Sequence, residues 1–96
     1  MHGEYKMPGG KLVVIDLEVD AGKLANIQLS GDFFLEPDSA LNAINLALDG
    51  RPADMSRTAL AELIRTALPA GIMMYGISPE AIVTAVKRAL DREQDA

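Results

Sequence analysis

Cysteine and tryptophan are absent, and histidine occurs once, at His2. Without cysteine the chain has no disulfide, no thiolate nucleophile, no Fe–S ligand and no structural zinc site of the usual kind. His2 stands on a terminus expected to fray, so neither a Ser-His-Asp nor a Cys-His site assembles on a rigid scaffold. The chain is therefore expected not to be an enzyme on its own.

Positive charge is also scarce. Nine Lys and Arg stand against 14 Asp and Glu, a formal net charge of −5, whereas nucleic-acid binding needs clustered cations to displace phosphate counterions. No nucleic-acid role is expected. Long apolar runs are missing too. The uncharged stretch Thr66 to Ser78 is broken by Pro69, Gly71 and Gly76, too short and interrupted to span a membrane. No basic stretch followed by an apolar one opens the chain, so no signal peptide is read and the expected address is the cytoplasm.

What is present fits one domain, residues 1–96. A chain of 96 residues buries roughly 60–70 % of its unfolded surface, enough for a single core between layers. Charge is unevenly placed along it. Met1 to Ile15 holds Lys6 and Lys11 against Glu4, while Asp16 to Asp54 holds eight acids against Lys23 and Arg51. The basic patch thus coincides with the glycine-rich loop Lys6-Met7-Pro8-Gly9-Gly10-Lys11.

Gly3 to Met7 reads as a short extended segment able to add an edge strand. Lys11 to Asp20 is the clearest strand, with Val13, Ile15, Leu17 and Val19 on one face and Asp16 and Glu18 on the other. Asp20-Ala21-Gly22-Lys23 is a hairpin turn with Gly22 at a positive φ. A second strand runs from Leu24 to about Ser30, with Ile27 and Leu29 inward. That parity continues to put Phe33 inside and Asp32 outside unless Gly31 introduces a bulge.

Three helices follow. The first begins near Pro37, with Pro and Asp38 in its first turn, an apolar stripe of Leu41, Ile44 and Leu48, and Gly50 at its end. Ser56 caps the second, lined by Leu60, Leu63, Ile64, Ala67 and Leu68. After a loop over residues 72–77, Ser78-Pro79-Glu80 opens the third, with Ile82, Ala85, Val86, Ala89 and Leu90 on one face. The tail from Arg92 is polar and expected to fray. Strands first and helices after define an α+β two-layer sandwich: a small antiparallel sheet of two or three strands with three helices packed on one face.

Three stretches are candidates for chemistry or recognition. The Lys6–Lys11 loop, with Pro8, Gly9 and Gly10 at its tip, offers backbone N–H groups and two point charges to a phosphate. It lacks Walker A spacing and leads into a strand, so on residue types alone it reads as a tight turn with solvated lysines. Gly31-Asp32-Phe33-Phe34 reads as a sheet-to-helix hinge with buried aromatics, or with Phe34 outside as a docking anchor. Met73-Met74-Tyr75 suits an interaction surface and gap-filling under two helices equally.

Taken together these residues resemble a known family. Lys6-Met7-Pro8-Gly9-Gly10-Lys11-Leu12-Val13, the Asp20-to-Lys23 turn, Ser30-Gly31-Asp32-Phe33-Phe34-Leu35 and Tyr75-Gly76-Ile77-Ser78 are similar, in order, to the accessory domain of lipoate–protein ligases. That domain occurs at the C-terminus of some ligases and as a separate small subunit of bipartite ones. The resemblance implies a fold like the SufE/NifU scaffolds, without their cysteine chemistry. It implies a non-catalytic role alongside a catalytic ligase subunit, and indirectly lipoyl-carrier domains. The partner converts lipoate and ATP to lipoyl-adenylate, then passes the lipoyl group to a carrier lysine. ATP, Mg and lipoate are expected in that partner, with no cofactor bound by this chain alone. It makes Lys6, Pro8, Gly9, Gly10 and Lys11 candidates to lie near the activation site, and Gly31, Asp32, Phe33, Phe34 and Tyr75 candidates for hinge and docking. A start a few residues before the glycine loop favours a separate subunit over a fused domain. A regulatory module for another adenylate-forming enzyme is the alternative.

Overall fold

A computed structural model describes residues 1–9, 11–69 and 71–95, the side chains of residues 92–95 excepted. Gly10 of the basic loop therefore lies outside the described residues, as do the side chains of the polar tail. Strands β1 (His2–Lys6), β2 (Leu12–Asp20) and β3 (Lys23–Gly31) form an antiparallel sheet in chain order. They are followed by β4 (Phe34–Glu36), α1 (Ser39–Leu48), α2 (Arg57–Ala67), β5 (Met73–Tyr75) and α3 (Pro79–Asp95). The architecture is α+β, as the order of patterns implied, and the edge strand near residues 3–7 is present as β1.

The N-terminus does not fray. His2 pairs with Asp16 in the β1–β2 register. The Met1 amine donates to the Leu17 carbonyl at 2.7 Å, and the Leu17 N–H returns to the Met1 carbonyl at 3.0 Å. Backbone pairing holds a segment that has little apolar side chain to recommend it.

Val13, Ile15 and Leu17 of β2 and Leu24, Ile27 and Leu29 of β3 are buried. Leu24 and Ile27 are three apart, which strict alternation forbids. The register between Asp16–Gln28 and Glu18–Ala25 slips by one residue, and Asn26 absorbs it at φ 51°. Asn tolerates that left-handed conformation better than most residues, and its side chain donates to Glu18 Oε2 at 2.7 Å. The bulge is thus at Asn26 rather than at Gly31. In the hairpin turn Ala21 as well as Gly22 has positive φ, 52° and 79°, which is type I′ geometry.

Of the three helices expected on the apolar face, α1 contacts β3, α3 contacts β1 and β2, and α2 packs on those two helices. Fully buried Ile44, Leu48, Leu60, Ile64, Ile82 and Val86 meet Ile15 and Leu24 in one core, each contributing about 1.5–3 kcal/mol of transfer free energy. The caps read from the sequence are made: Ser56 Oγ accepts from the Ala59 N–H and Ser78 Oγ from the Ala81 N–H, both at 3.1 Å. The start of α1 is corrected. Pro37 precedes the helix behind a cis peptide, and Asp38 occupies the cap position without a side-chain bond.

β1 lies unusually close to α3. Gly3 is buried, and a side chain there would run into the backbone of Ala85 and Ala89. Arg88 fastens the same contact, donating to the Glu4 carbonyl at 3.1 Å and sitting 5.1 Å over the Tyr5 ring. At the opposite edge, residues 50–53 cover the end of β3: the Gly50 N–H donates to the Leu24 carbonyl, the Leu24 N–H to the Arg51 carbonyl, and the Ala53 N–H to the Gly22 carbonyl. An edge closed in this way offers fewer free backbone groups for aggregation.

Candidate docking site at one end of the sheet

The stretch following β3 is a strand, not only a hinge. β4 pairs antiparallel with β5, Phe34 opposite Tyr75, Leu35 opposite Met74 and Glu36 opposite Met73. Residues 72–77, expected as a loop, therefore contain a strand. Three-residue strands show barely one period of alternation, so their sequences carry little signal. The pairing sorts the side chains. Leu35 turns into the core with Met74 partly buried beside it, while Phe34, Glu36, Met73 and Tyr75 face out.

Three of those four outward side chains are large and apolar. Phe34 is 55 %, Met73 49 % and Tyr75 52 % exposed. The rings of Phe34 and Tyr75 meet at 6.2 Å with a 48° tilt, an arrangement aromatic quadrupoles favour. Phe33 is partly buried against the core, as its parity implied, whereas Phe34 is outside. Core packing thus holds for the first phenylalanine and fails for the second, because the alternation that turns Phe33 and Leu35 inward turns residue 34, between them, outward.

The basic loop comes to the same end. Its base is closed by the Met7 N–H donating to the Lys11 carbonyl at 2.7 Å, and Gly9 turns at φ 98°. Lys6, Pro8, Gly9 and Lys11 are all exposed. The Leu12 N–H donates to Asp32 Oδ1 at 2.7 Å, and the Asp32 N–H returns to the Leu12 carbonyl at 3.2 Å. Gly31, at φ 147°, permits this approach, since a side chain there would strike the Leu12 carbonyl and the Phe33 ring. The Lys11 stem lies across Gly76, where an added Cβ would stand 2.9 Å from Lys11 Cβ and nearer still to its Cγ. Thus the loop, the Gly31–Phe34 turn and the Tyr75–Gly76 segment form one cluster, although they are separated in sequence by tens of residues. Beside it a groove of about 360 Å³ runs between the end of β3 and α1, lined by Leu29, Phe33, Phe34, Leu35 and Leu41 among others.

Electrostatics at this end are simple. The lysines lie on the β2 side, and Glu36 and Asp38 on the α1 side. Elsewhere, on the open face of the sheet, His2 is held between Asp16 (Nδ1 to Oδ1, 2.8 Å) and Glu4 (Nε2 to Oε2, 2.6 Å). Its pKa is raised, first by the Asp16 hydrogen bond and then by the Glu4 one. Among the described residues no three His, Cys, Asp or Glu side chains converge to hold a metal ion, and no helix is long and apolar enough to cross a membrane.

The class these features define is a small α+β module with a cross-linked, partly apolar end face. No family model matches the chain. It is 26 % identical over 76 residues to Lipoate-protein ligase A subunit 2 of Thermoplasma acidophilum, an alignment covering 79 % of this chain and 77 % of that protein. A chain from the solved structure of an archaeal lipoylation system, "a bi-partite lipoate protein ligase and its E2 lipoyl domain" from Thermoplasma acidophilum, superposes with a TM-score of 0.68 at 26 % identity. That superposition covers 90 % of this chain and 97 % of the other. The resemblance to the accessory subunit of bipartite lipoate–protein ligases therefore holds in both sequence and fold.

Proposed function

We propose that this chain is the non-catalytic accessory subunit of a bipartite lipoate–protein ligase, forming a cytoplasmic heterodimer with the catalytic subunit. Together the two activate lipoate with ATP to lipoyl-adenylate, which is then transferred to a lysine of a lipoyl-carrier domain. The observation carrying this reading is the match to 97 % of a chain from a solved bi-partite ligase system; a single shared motif would not span a whole domain. The SufE/NifU-like, two-layer description belongs to this reading of the fold; α1 and α3 lie on the sheet in keeping with it, while α2 packs on those two helices. ATP, Mg and lipoate belong, on this reading, to the catalytic partner, and no step is assigned to them on this chain.

Within the complex, the Lys6–Lys11 loop lies near the activation site. Lys6 or Lys11 offsets phosphate charge there or fixes a loop of the catalytic chain. Support comes from the rigid footing of Lys11: its backbone closes the loop and its stem rests on Gly76. A preorganised charge costs little reorganisation at the moment of reaction, and such groups contribute as much as a few kcal/mol.

Reconstitution tests the reading. The catalytic subunit alone is expected to form little lipoyl-adenylate, and adding this chain to restore it, as read by pyrophosphate release. Equal rates with and without the chain refute the proposal. Lys6→Ala and Lys11→Ala proteins that still bind are expected to slow adenylate formation about tenfold or more, within the range of single electrostatic contributions.

A further inference from the structure

We infer that the outward face of the β4–β5 ribbon, Phe34, Met73 and Tyr75 with Lys11 at its margin, is the surface that docks on the catalytic subunit. This rests on the function proposed above and adds to it the place of contact. A solvated ribbon ordinarily turns polar side chains outward. Here three of four outward positions are large and apolar, each about half exposed, and the rings of two of them meet, tilted, at 6.2 Å. Clustered aromatics next to a flexible methionine are the composition of interface hot spots, where a few anchors carry most of the binding.

The occupant is argued from charge and size. A second copy is a poor candidate, because each chain carries a formal charge of −5 and like-charged bodies repel. The patch is also small: three half-exposed side chains amount to roughly 300 Å², well below the ~800 Å² per partner of a stable interface. It serves as the centre of a larger contact, to which the Lys6–Lys11 loop and the groove beside Phe34 add area. The fitting partner surface is an apolar cleft with a carboxylate opposite Lys11 and a cation opposite Glu36. That division of charge fixes the orientation of docking.

The test measures binding of the wild-type chain and of Phe34→Ala, Tyr75→Ala and Lys11→Glu proteins to the catalytic subunit by calorimetry. Leu46→Ala serves as control: Leu46 is the most exposed large apolar side chain at 74 %, on α1 and away from the ribbon. Unchanged melting temperatures establish that the variants fold. Wild-type binding that weakens about tenfold or more in Phe34→Ala and Tyr75→Ala, weakens in Lys11→Glu and is untouched in Leu46→Ala supports the inference. Wild-type binding with unaffected ribbon variants, or a loss confined to Leu46→Ala, overturns it while leaving the proposed function standing. No binding by the wild-type chain overturns both.

Discussion

Replacing Gly3 with alanine places a methyl group where the backbone of α3 already stands. The new Cβ falls 2.6 Å from the Ala89 nitrogen, 2.9 Å from the Ala89 Cβ and nearer still to the Ala85 carbonyl oxygen. Comfortable carbon contacts begin at about 3.5 Å, so β1 and α3 must separate by roughly 1 Å. Two of the three obstacles are backbone atoms inside a helix, which have no rotamer to yield. Overpacking costs about 1–3 kcal/mol, sometimes more, and this site belongs at the upper end. Reduced freedom of the unfolded chain offsets only about 0.4–1 kcal/mol, leaving a net loss of about 2 kcal/mol or more. For a domain of this size that is a fall of about 8–16 °C in melting temperature, and about 2 M in urea midpoint for a slope near 1 kcal/mol/M. Circular dichroism melts and urea titrations of the two proteins read it directly. Adding Ala89→Gly removes the Cβ contact and leaves the backbone ones, so the double variant is expected to recover nothing. A Gly3→Ala protein that melts within 2 °C of wild type, or a full rescue by Ala89→Gly, would refute this account.

The remaining predictions rest on smaller features. Ala21→Asn places a residue that accepts positive φ in the type I′ turn, and a gain of about 1 kcal/mol in stability, read by urea titration, is expected; a loss of stability contradicts the φ of 52° at that position. Asp32→Ala removes the acceptor for the Leu12 N–H and is expected to cost about 1 kcal/mol, with faster hydrogen exchange at Leu12; unchanged exchange would count against the bond. The His2 pKa is raised in the folded state. Its contribution is therefore complete below the unfolded pKa and is lost as pH rises through the folded one. The melting-temperature gap between wild type and His2→Gln is accordingly expected to be widest below the ordinary histidine pKa of about 6.5 and to narrow as pH rises above it, and a gap independent of pH would dismiss the ion-paired histidine.

The main elements were legible because they follow a period. The alternation from Val13 to Val19, the turn ending in Gly22 and the serine caps of the last two helices each state their structure locally. What escaped depends on partners distant in sequence. Gly3 looks like any glycine until Ala85 and Ala89 are laid against it. β4 and β5 are too short to announce themselves and exist because each pairs with the other. Asn26 is polar on an exposed face, and only the count between Leu24 and Ile27 hints at the bulge. The candidate site was half visible: its loop and aromatics stand out by composition. Their convergence through Asp32 and Gly76 is a property of the fold.

The contact between β1 and α3 also bears on how the chain reaches its structure. The first strand rests on the last helix, Glu4 meeting Arg88 across 84 positions. During synthesis, a nascent chain complete through β5 has a sheet whose β1 and β2 face still lacks its cover, because that cover is made last. Folding in order from the N-terminus therefore leaves apolar surface exposed until the final segment emerges. Such long-range closure slows folding and makes this stage the one most open to aggregation. A ribosome-stalled series that releases progressively more of α3 would place the gain of protease resistance at the residues that meet Gly3.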